Sequence, residues 1–196
     1  DRVHDEGFFE GVFTDDREVF PYLLKSLGQD GEQMVFHDSY AFLPQLTDFD
    51  LHLFNEGNHY KIYRKLGARF IEANGVGGIE FAVWAPNARS VSVIGSFNNW
   101  DRRTHAMRVL GGSGVWEIFI PGLDAGELYK FEIKTRDGYV LDKTDPFATR
   151  MEVRPRTASV THRRAYTWDD NEWMILRAAL DPDTAPMSIY EVHLGS

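Results

Sequence analysis

The chain has 196 residues, of which 43% are hydrophobic, so it is long and apolar enough to bury at least one core. Its 30 acidic and 21 basic side chains give a net charge of −9, which argues against nucleic acid and anionic membranes as partners. The sequence has no cysteine, which excludes a disulfide scaffold and a thiolate zinc site and fits a reducing, cytoplasmic environment. No apolar run approaches the roughly 18 residues that a membrane-spanning helix needs.

The first 46 residues predict three short β-strands, at 8–13, 22–27 and 34–36. A shift of 107 positions places this segment on a second set of predicted strands, at 115–120, 129–133 and 139–141. The identical residues aligned by this shift include Gly7 and Gly114, Glu10 and Glu117, Tyr22 and Tyr129, Asp38 and Asp145, and Ala41 and Ala148. We therefore interpret the sequence as an internal duplication, in which residues 1–46 are a partial first β-sandwich module without its N-terminal half.

Residues 47–69 predict a helical linker between the two modules. Asp50 is a candidate cap for one short helix, and Asn58 is a candidate cap for a second helix that ends at Gly67. His52 and His59 also lie in this segment. Since their spacing from carboxylates is not typical of a metal site, we expect them to take part in packing.

Two strands with alternating apolar residues, 79–85 and 91–94, begin the second module. The loop that follows the second strand is polar except for two aromatic rings, and it contains Trp100. An indole exposed in such a loop can stack on the apolar face of a glucose unit, while Asn98 or Asn99 reaches the hydroxyl groups. The alternative is that Trp100 packs against a neighbouring domain.

The strand at 129–133 places Lys130 on its outer face, because the aromatic and apolar residues that alternate with it share the core face. Lys130 is therefore a candidate donor to a hydroxyl group, and a simple solvated lysine is the alternative. Tyr139 follows a turn and is predicted to lie near the same edge of the sheet. Trp84 and Trp116 are predicted to be structural.

The last segment, residues 162–196, predicts a linker helix followed by a strand. The helix starts at residues 169–171 and ends before Pro182. Residues 187–194 are largely apolar, which is typical of a strand buried on both faces in a parallel sheet. Because no further βα units follow, and because the first module has no N-terminal half, we expect the chain to be cut at both ends.

The sequence carries no motif of a catalytic site. It has no G-x-S-x-G elbow, no H-E-x-x-H and no phosphate-binding glycine loop after a strand. The paired carboxylates that glycoside cleavage requires fall in predicted turns and helix caps. We therefore expect no catalytic residue, no metal and no cofactor in this chain.

Several motifs together resemble the N-terminal region of bacterial 1,4-α-glucan (glycogen) branching enzymes. They are FAVWAPNA, VSVIGSFNNWD, SGVWEIFIPG, LYKFEI, TDPFA and SIYEVHLGS. The resemblance implies an all-β fold in which residues 70–161 form a family 48 carbohydrate-binding module, an immunoglobulin-like β-sandwich. It also implies that residues 187–194 are the first strand of a (β/α)8 catalytic barrel, whose reactive carboxylates lie on later strands.

The resemblance also implies a function and a set of contacts. In glycogen-binding relatives, a tryptophan after FNN and a lysine in YKF contact the glucan, and these positions are Trp100 and Lys130 here. Asn99 and Tyr139 complete the predicted site, although Tyr139 stands near the place where those relatives carry a second tryptophan. The implied partners are α-1,4-glucan, as glycogen or maltooligosaccharides, and the catalytic barrel of the same chain.

The implied parent reaction is a retaining transfer of α-1,4 chains that creates α-1,6 branches in glycogen, and this part of the enzyme would not catalyse it. Two alternatives stay open. One is the same module from a debranching-type glycoside hydrolase, and the other is a stand-alone glycogen-binding module. The apolar run at residues 187–194 argues against the latter, because an unpartnered strand promotes aggregation.

Overall fold

The computed structural model describes residues 2–14, 20–28 and 30–195, which belong to two compact units, Asp1–Arg163 and Arg164–Ser196. The described part of the larger unit is mostly β-structure. Its strands are β1 (Arg2–His4), β2 (Phe8–Phe9), β3 (Leu24–Leu27), β4 (Gln33–Phe36), β5 (Gly67–Ala73), β6 (Val76–Trp84), β7 (Ala88–Gly95), β8 (Arg108–Val109), β9 (Val115–Pro121), β10 (Leu128–Thr135), β11 (Val140–Lys143) and β12 (Ser159–Val160). Helix α1 (Asp48–Asn55) and three single 3₁₀ turns, at Ser39–Ala41, Ile62–Arg64 and Ser96–Asn98, connect them.

Strands β5 to β12 form two open antiparallel sheets that share one core. The first sheet has the order β5-β6-β9-β8, and the second joins β7 to β10, whose other edge pairs with both β11 and β12. The side chains between the sheets come from alternate positions, as half-buried strands require. They include Ile79, Phe81, Val83, Val91, Val93, Trp116, Ile118, Ile120, Tyr129 and Phe131. The predicted two-layer antiparallel arrangement is therefore confirmed for this segment.

The two tryptophans predicted to be structural differ in their environment. Trp116 is buried, and its indole N–H donates to the Ala85 carbonyl at 3.1 Å. Trp84 donates to the Ser113 carbonyl at 3.2 Å and packs edge-on against Phe54, but 54% of its surface is exposed. Trp116 is thus a core residue, whereas Trp84 is fixed in orientation at the surface of the first sheet.

The internal repeat is visible in the geometry of two hairpins. In β3 and β4, Leu24 lies opposite Phe36, and 107 positions later Phe131 of β10 lies opposite Lys143 of β11. All four residue pairs of the first hairpin have their counterparts at this offset.

The same hydrogen bond accompanies each hairpin. The Tyr22 hydroxyl donates to the Asp38 carboxylate at 2.6 Å, and the Tyr129 hydroxyl donates to the Asp145 carboxylate at 2.6 Å. The prediction of an internal duplication is therefore confirmed for this part of the chain.

The first strand of the repeat is shorter than predicted. Residues 8–13 were expected to form one strand, but β2 ends at Phe9. The equivalent strand in the second copy, β9, lies between β6 and β8, whereas among the residues that the structure describes β2 pairs only with β1. A strand with a single short neighbour gains few hydrogen bonds and little buried area, which explains its early end.

The repeated tyrosine–aspartate bond gives a matched test of burial. Asp145 is 4% exposed and Tyr129 is 1% exposed, whereas Tyr22 is 38% exposed. We expect Tyr129→Phe to lower the free energy of unfolding by about 1–3 kcal/mol, because a buried carboxyl group loses a hydrogen-bond donor. Tyr22→Phe should cost less than about 1 kcal/mol, because water replaces the lost hydroxyl group. Urea denaturation of both variants measures the difference, and equal losses would contradict this account.

Helix α1 confirms the predicted linker helix but corrects its cap. The N-cap is Thr47, and Asp50 is instead the third helical residue, which bonds back to the Thr47 backbone N–H at 3.1 Å. This reciprocal arrangement is a capping box. The second predicted helix is only the 3₁₀ turn Ile62–Arg64, whose cap is Lys61 and not Asn58. A turn of this length is marginal as an independent helix, so packing holds it in place.

Asp50 also connects helix α1 to the later part of the linker. Its carboxylate accepts hydrogen bonds from Lys65 at 2.8 Å and from the His59 ring at 3.0 Å. Burial raises the pKa of Asp50, but the hydrogen bonds from Lys65, His59 and Thr47 outweigh it and hold the pKa well below its usual range. In residues 2–14, 20–28 and 30–195, no group of three or more His, Asp and Glu side chains is arranged to hold a metal ion.

A buried carboxylate holds the residues just before the linker against the outer face of the first sheet. Glu117 of β9 accepts the backbone N–H groups of Gln45 and Leu46 at 2.8 and 3.0 Å. Glu80 of the neighbouring β6 is 2% exposed, and its partner there is Arg69 at 3.4 Å. Burial, together with the negative charge of Glu117, raises the pKa of Glu80 to about 7 despite Arg69.

A raised carboxyl pKa makes stability depend on pH in a defined direction. The folded chain favours protonated Glu80, so its contribution to stability is greatest below about pH 4 and declines as the pH rises towards 7. We expect Glu80→Gln to gain about 1–3 kcal/mol relative to the wild type between pH 5 and pH 8. Urea denaturation at both pH values measures this gain. Glu72→Gln, at an exposed site on β5, is the control and should show no such change. A pH-independent difference for Glu80→Gln would contradict this account.

The smaller unit contains helix α2 (Asn171–Ala179), which confirms the predicted linker helix. Residues 187–194, all of which the structure describes, form no strand. Ile189, Tyr190 and Leu194 are 84%, 89% and 95% exposed, so the expected two-sided burial is absent from this segment. A β-strand requires a neighbouring strand for its backbone hydrogen bonds, and no described segment pairs with this one. Among the described helices, none combines the length and apolar character of a membrane span.

Candidate functional site

The loop after β7 is anchored at its base by a buried amide. The Asn98 side chain accepts the Gly95 backbone N–H at 2.8 Å and donates to the Val93 carbonyl at 3.0 Å. Its amide nitrogen also lies 2.9 Å from a ring nitrogen of His105. Gly95 is required by close approach, because a Cβ there would lie 2.2 Å from the Leu128 carbonyl oxygen. The loop therefore leaves the sheet along a fixed path.

Two consecutive residues beyond Asn98 adopt the left-handed backbone conformation. Asn99 has φ of 52° and Trp100 has φ of 59°. This region is rare for a bulky residue and costs about 1–3 kcal/mol, so the surrounding contacts must hold it. The Trp100 backbone N–H donates to the Gly95 carbonyl at 2.9 Å, and 39% of the residue remains exposed. The loop thus presents a partly exposed indole in a constrained geometry, beside the exposed Asn99.

Lys130 lies close to this loop on the outer face of the second sheet. It is opposite Ile94, the residue before Gly95, so the strand ladder places it next to the base of the loop. Its ammonium group donates to the Thr157 hydroxyl at 2.9 Å. The structure therefore brings Asn99, Trp100 and Lys130 to one end of this face.

Tyr139 does not join these three residues. It follows the turn at the far end of the β10–β11 hairpin, where its carbonyl accepts the Thr135 backbone N–H at 2.8 Å. Five residues of extended strand separate Lys130 from Thr135, which corresponds to roughly 16 Å. Tyr139 is 72% exposed. Tyr139 therefore lies in the same sheet as Lys130, as expected, but at the opposite end of that sheet.

A groove of about 510 Å³ opens at the Lys130 end of β10. Its walls come from the start of β10, from β12 and from the loop before β12, which carries three arginines. The arginines are Arg150, Arg154 and Arg156. Guanidinium groups are donors only, so this groove suits a ligand rich in oxygen acceptors.

Two contacts of this face were missed by the sequence analysis. Thr157 bonds Lys130 from a distant segment, and no spacing rule connects the two residues. Arg102 places its Nε 2.6 Å from a Glu132 carboxylate oxygen and its Nη2 3.5 Å from an Asp142 carboxylate oxygen. Glu132 is on the outer face, like Lys130, and Arg102 covers it. These two carboxylates are engaged by a cation and do not form an open pair for cleaving a glycosidic bond.

The chemistry of these side chains suits a ligand with a flat apolar face and many hydroxyl groups. Trp100 offers an aromatic ring, and Lys130, Asn99 and the hydroxyl of Thr157 offer hydrogen-bonding groups. Comparison with known proteins agrees with this chemistry, since residues 65–148 match the family model of carbohydrate-binding module 48, also described as the isoamylase N-terminal domain. Trp100, Lys130 and Tyr139 lie inside the matched range, and Thr157 lies beyond it.

Similarity to individual proteins extends beyond the module. The 1,4-alpha-glucan branching enzyme GlgB of Nostoc sp. is 54% identical over 197 residues, which cover 99% of this chain and 25% of the relative. The enzyme of the same name from Rhodococcus jostii is 50% identical over 190 residues, which cover 95% of this chain and 26% of the relative. The resemblance to the branching enzymes is thus confirmed over nearly the whole chain. The chain spans about a quarter of the length of these relatives.

A solved structure is also similar to part of the chain. The pullulanase type I of Bacillus subtilis, in a complex with maltose, matches 53% of this chain and 14% of its own chain, with 28% identity and a TM-score of 0.43.

Proposed function

We propose that this chain is the non-catalytic N-terminal part of a 1,4-α-glucan branching enzyme, in which the module binds α-1,4-glucan through Trp100. The similarity to branching enzymes over 99% of the chain favours this function over a debranching hydrolase or a stand-alone glycogen-binding module. The whole enzyme would cleave an α-1,4 chain and transfer it, with retention, to a 6-hydroxyl group of glycogen. This N-terminal part would hold the glucan near the catalytic domain.

The observation that carries the binding role is the left-handed backbone at Asn99 and Trp100. Strained backbone in a constrained loop favours a functional explanation, since the sheet itself gains nothing from it. A glucose ring stacked on Trp100 would bring its hydroxyl groups towards Lys130, and Thr157 would exchange its hydrogen bond with the ligand. Because the buried amide of Asn98 anchors the loop, little ordering would be needed on binding.

Tyr139 fits a secondary role in this proposal. Roughly 16 Å of strand separate Lys130 from Thr135, beside which Tyr139 lies, so only an oligosaccharide of several units could contact both Lys130 and Tyr139. The arginine-lined groove lies at the Lys130 end of β10 and offers a second direction in which such a chain could extend.

The domain organisation that accompanies this function has four parts. We propose a partial first β-sandwich module at 1–46, a helical linker at 47–69, an immunoglobulin-like carbohydrate-binding module at 70–161 and a linker helix with the first barrel strand at 162–196. The repeated hairpin supports the first assignment. The exposed apolar side chains at residues 187–194 support the last, because a catalytic barrel would supply the missing neighbouring strand. The enzyme would act in the cytoplasm, where glycogen and its precursors are held.

Replacing the stacking ring tests the binding role. We expect wild-type protein to bind maltoheptaose weakly, and Trp100→Ala to reduce the affinity on the order of tenfold or more, because a buried aromatic anchor dominates such contacts. Isothermal titration calorimetry measures both affinities. Trp84→Ala, which removes the exposed tryptophan of the other sheet, is the matched control and should bind as the wild type does. Loss of binding in the control, but not in Trp100→Ala, would move the site to the first sheet.

A second experiment tests the assignment of a non-catalytic part. We expect the chain to leave the iodine absorbance of amylose unchanged, because the resemblance to branching enzymes implies that the reactive carboxylates lie on later strands of the barrel. An enzyme extended by the remainder of its coding sequence should shift the absorbance and introduce α-1,6 linkages. Release of linear chains without new branches would instead favour the debranching hydrolase.

A further inference from the structure

The loop that carries Trp100 has a second anchor on the other side of the indole. Two residues before Trp100, the amide of Asn98 binds the backbone of β7. Two residues after it, Arg102 reaches the outer face of the second sheet and contacts Glu132 of β10 and Asp142 of β11. The left-handed segment is therefore fixed at both ends, by a buried amide and by a cation.

The sheet has its own requirement for this cation. Glu132 and Asp142 are directly opposite each other in the β10–β11 ladder, so their side chains lie on the same face. Like charges in such positions repel and destabilise the pair of strands. Arg102 contacts both carboxylates, so the loop supplies the charge that the two strands need. The Glu132 side chain is 12% exposed, whereas the Arg102 side chain is 53% exposed, so solvent screens part of this ion pair.

The neighbouring Arg103 provides a contrast within the same loop. Its guanidinium pairs with Asp101, two residues away, and 88% of its side chain is exposed. It makes no contact with the sheet among the described residues. Of the two adjacent arginines, only Arg102 joins the loop to the strands that carry Lys130.

We propose that Arg102 is a positioning residue for glucan recognition, which fixes the orientation of Trp100 by clamping its loop onto Glu132 and Asp142. The proposal rests on the glucan-binding function of Trp100. Without the clamp, the two carboxylates repel, the loop detaches from the sheet, and the indole adopts several orientations. The apparent affinity falls by the fraction of molecules that keep the competent orientation, and we expect a loss on the order of fivefold.

The test compares Arg102→Ala with Arg103→Ala, which removes the same charge one residue away. Calorimetry with maltoheptaose measures affinity, and ¹⁵N relaxation of the Trp100 indole N–H measures the mobility of the ring without any ligand. We expect Arg102→Ala to weaken binding and to mobilise the indole, and Arg103→Ala to change neither. In a Trp100→Ala background, Arg102→Ala should cause no further loss of binding, which separates positioning from direct contact with the sugar.

A second variant distinguishes loss of the ion pair from unfolding of the sheet. The double substitution Arg102→Ala with Glu132→Gln removes the clamp without leaving two opposed charges, so the sheet should stay folded while the indole is mobile and binding remains weak. An indole that stays rigid in both variants, or equal affinities for Arg102→Ala and Arg103→Ala, would overturn the proposal. If the indole becomes mobile but the wild type binds no maltoheptaose, the clamp is supported and the glucan-binding function is wrong.

Discussion

The structure depends on one constraint, the alternation of side chains along β6, β7, β9 and β10. One set of positions fills the space between the two sheets, with Phe81, Val93, Ile118 and Phe131 fully or almost fully buried. The other set must therefore face outwards on both sheets. On the first sheet, this outer set includes Glu117, which binds the backbone of Gln45 and Leu46, just before the linker. On the second sheet, the outer set includes Lys130 and Glu132, and the Trp100 loop lies beside them.

The sequence predicted this core well because the alternation is local. A period of two can be counted along the chain, and the strands at 79–85, 91–94 and 129–133 all appear close to their predicted positions. The same holds for α2, whose start and end follow from local residues. The cap of α1 was misassigned to Asp50, although Thr47 three residues earlier completes the capping-box spacing and was available to the same reasoning.

Features that require a distant partner were not predictable. Thr157 meets Lys130, and Arg102 meets Glu132 and Asp142, across sequence separations that no pattern encodes. The position of Tyr139 along the sheet was not predictable for a related reason. The sequence indicates which strands Tyr139 lies between, but the register of β10 with β11 determines at which end of the sheet it lies. For residues 187–194, the sequence predicts a strand that the structure does not show. No described strand pairs with this segment, so its backbone lacks the hydrogen bonds that a strand requires.

The two copies of the tyrosine–aspartate hairpin have the same strand register in different structural surroundings. The copy in β10 and β11 sits against a full sheet, whereas the copy in β3 and β4 is a two-stranded ribbon with exposed side chains, yet both have the same alignment of strands. The register of these strands therefore does not require the surrounding core. Because a hairpin of this kind is built from short-range contacts, it can form before the long-range pairing of β7 with β10.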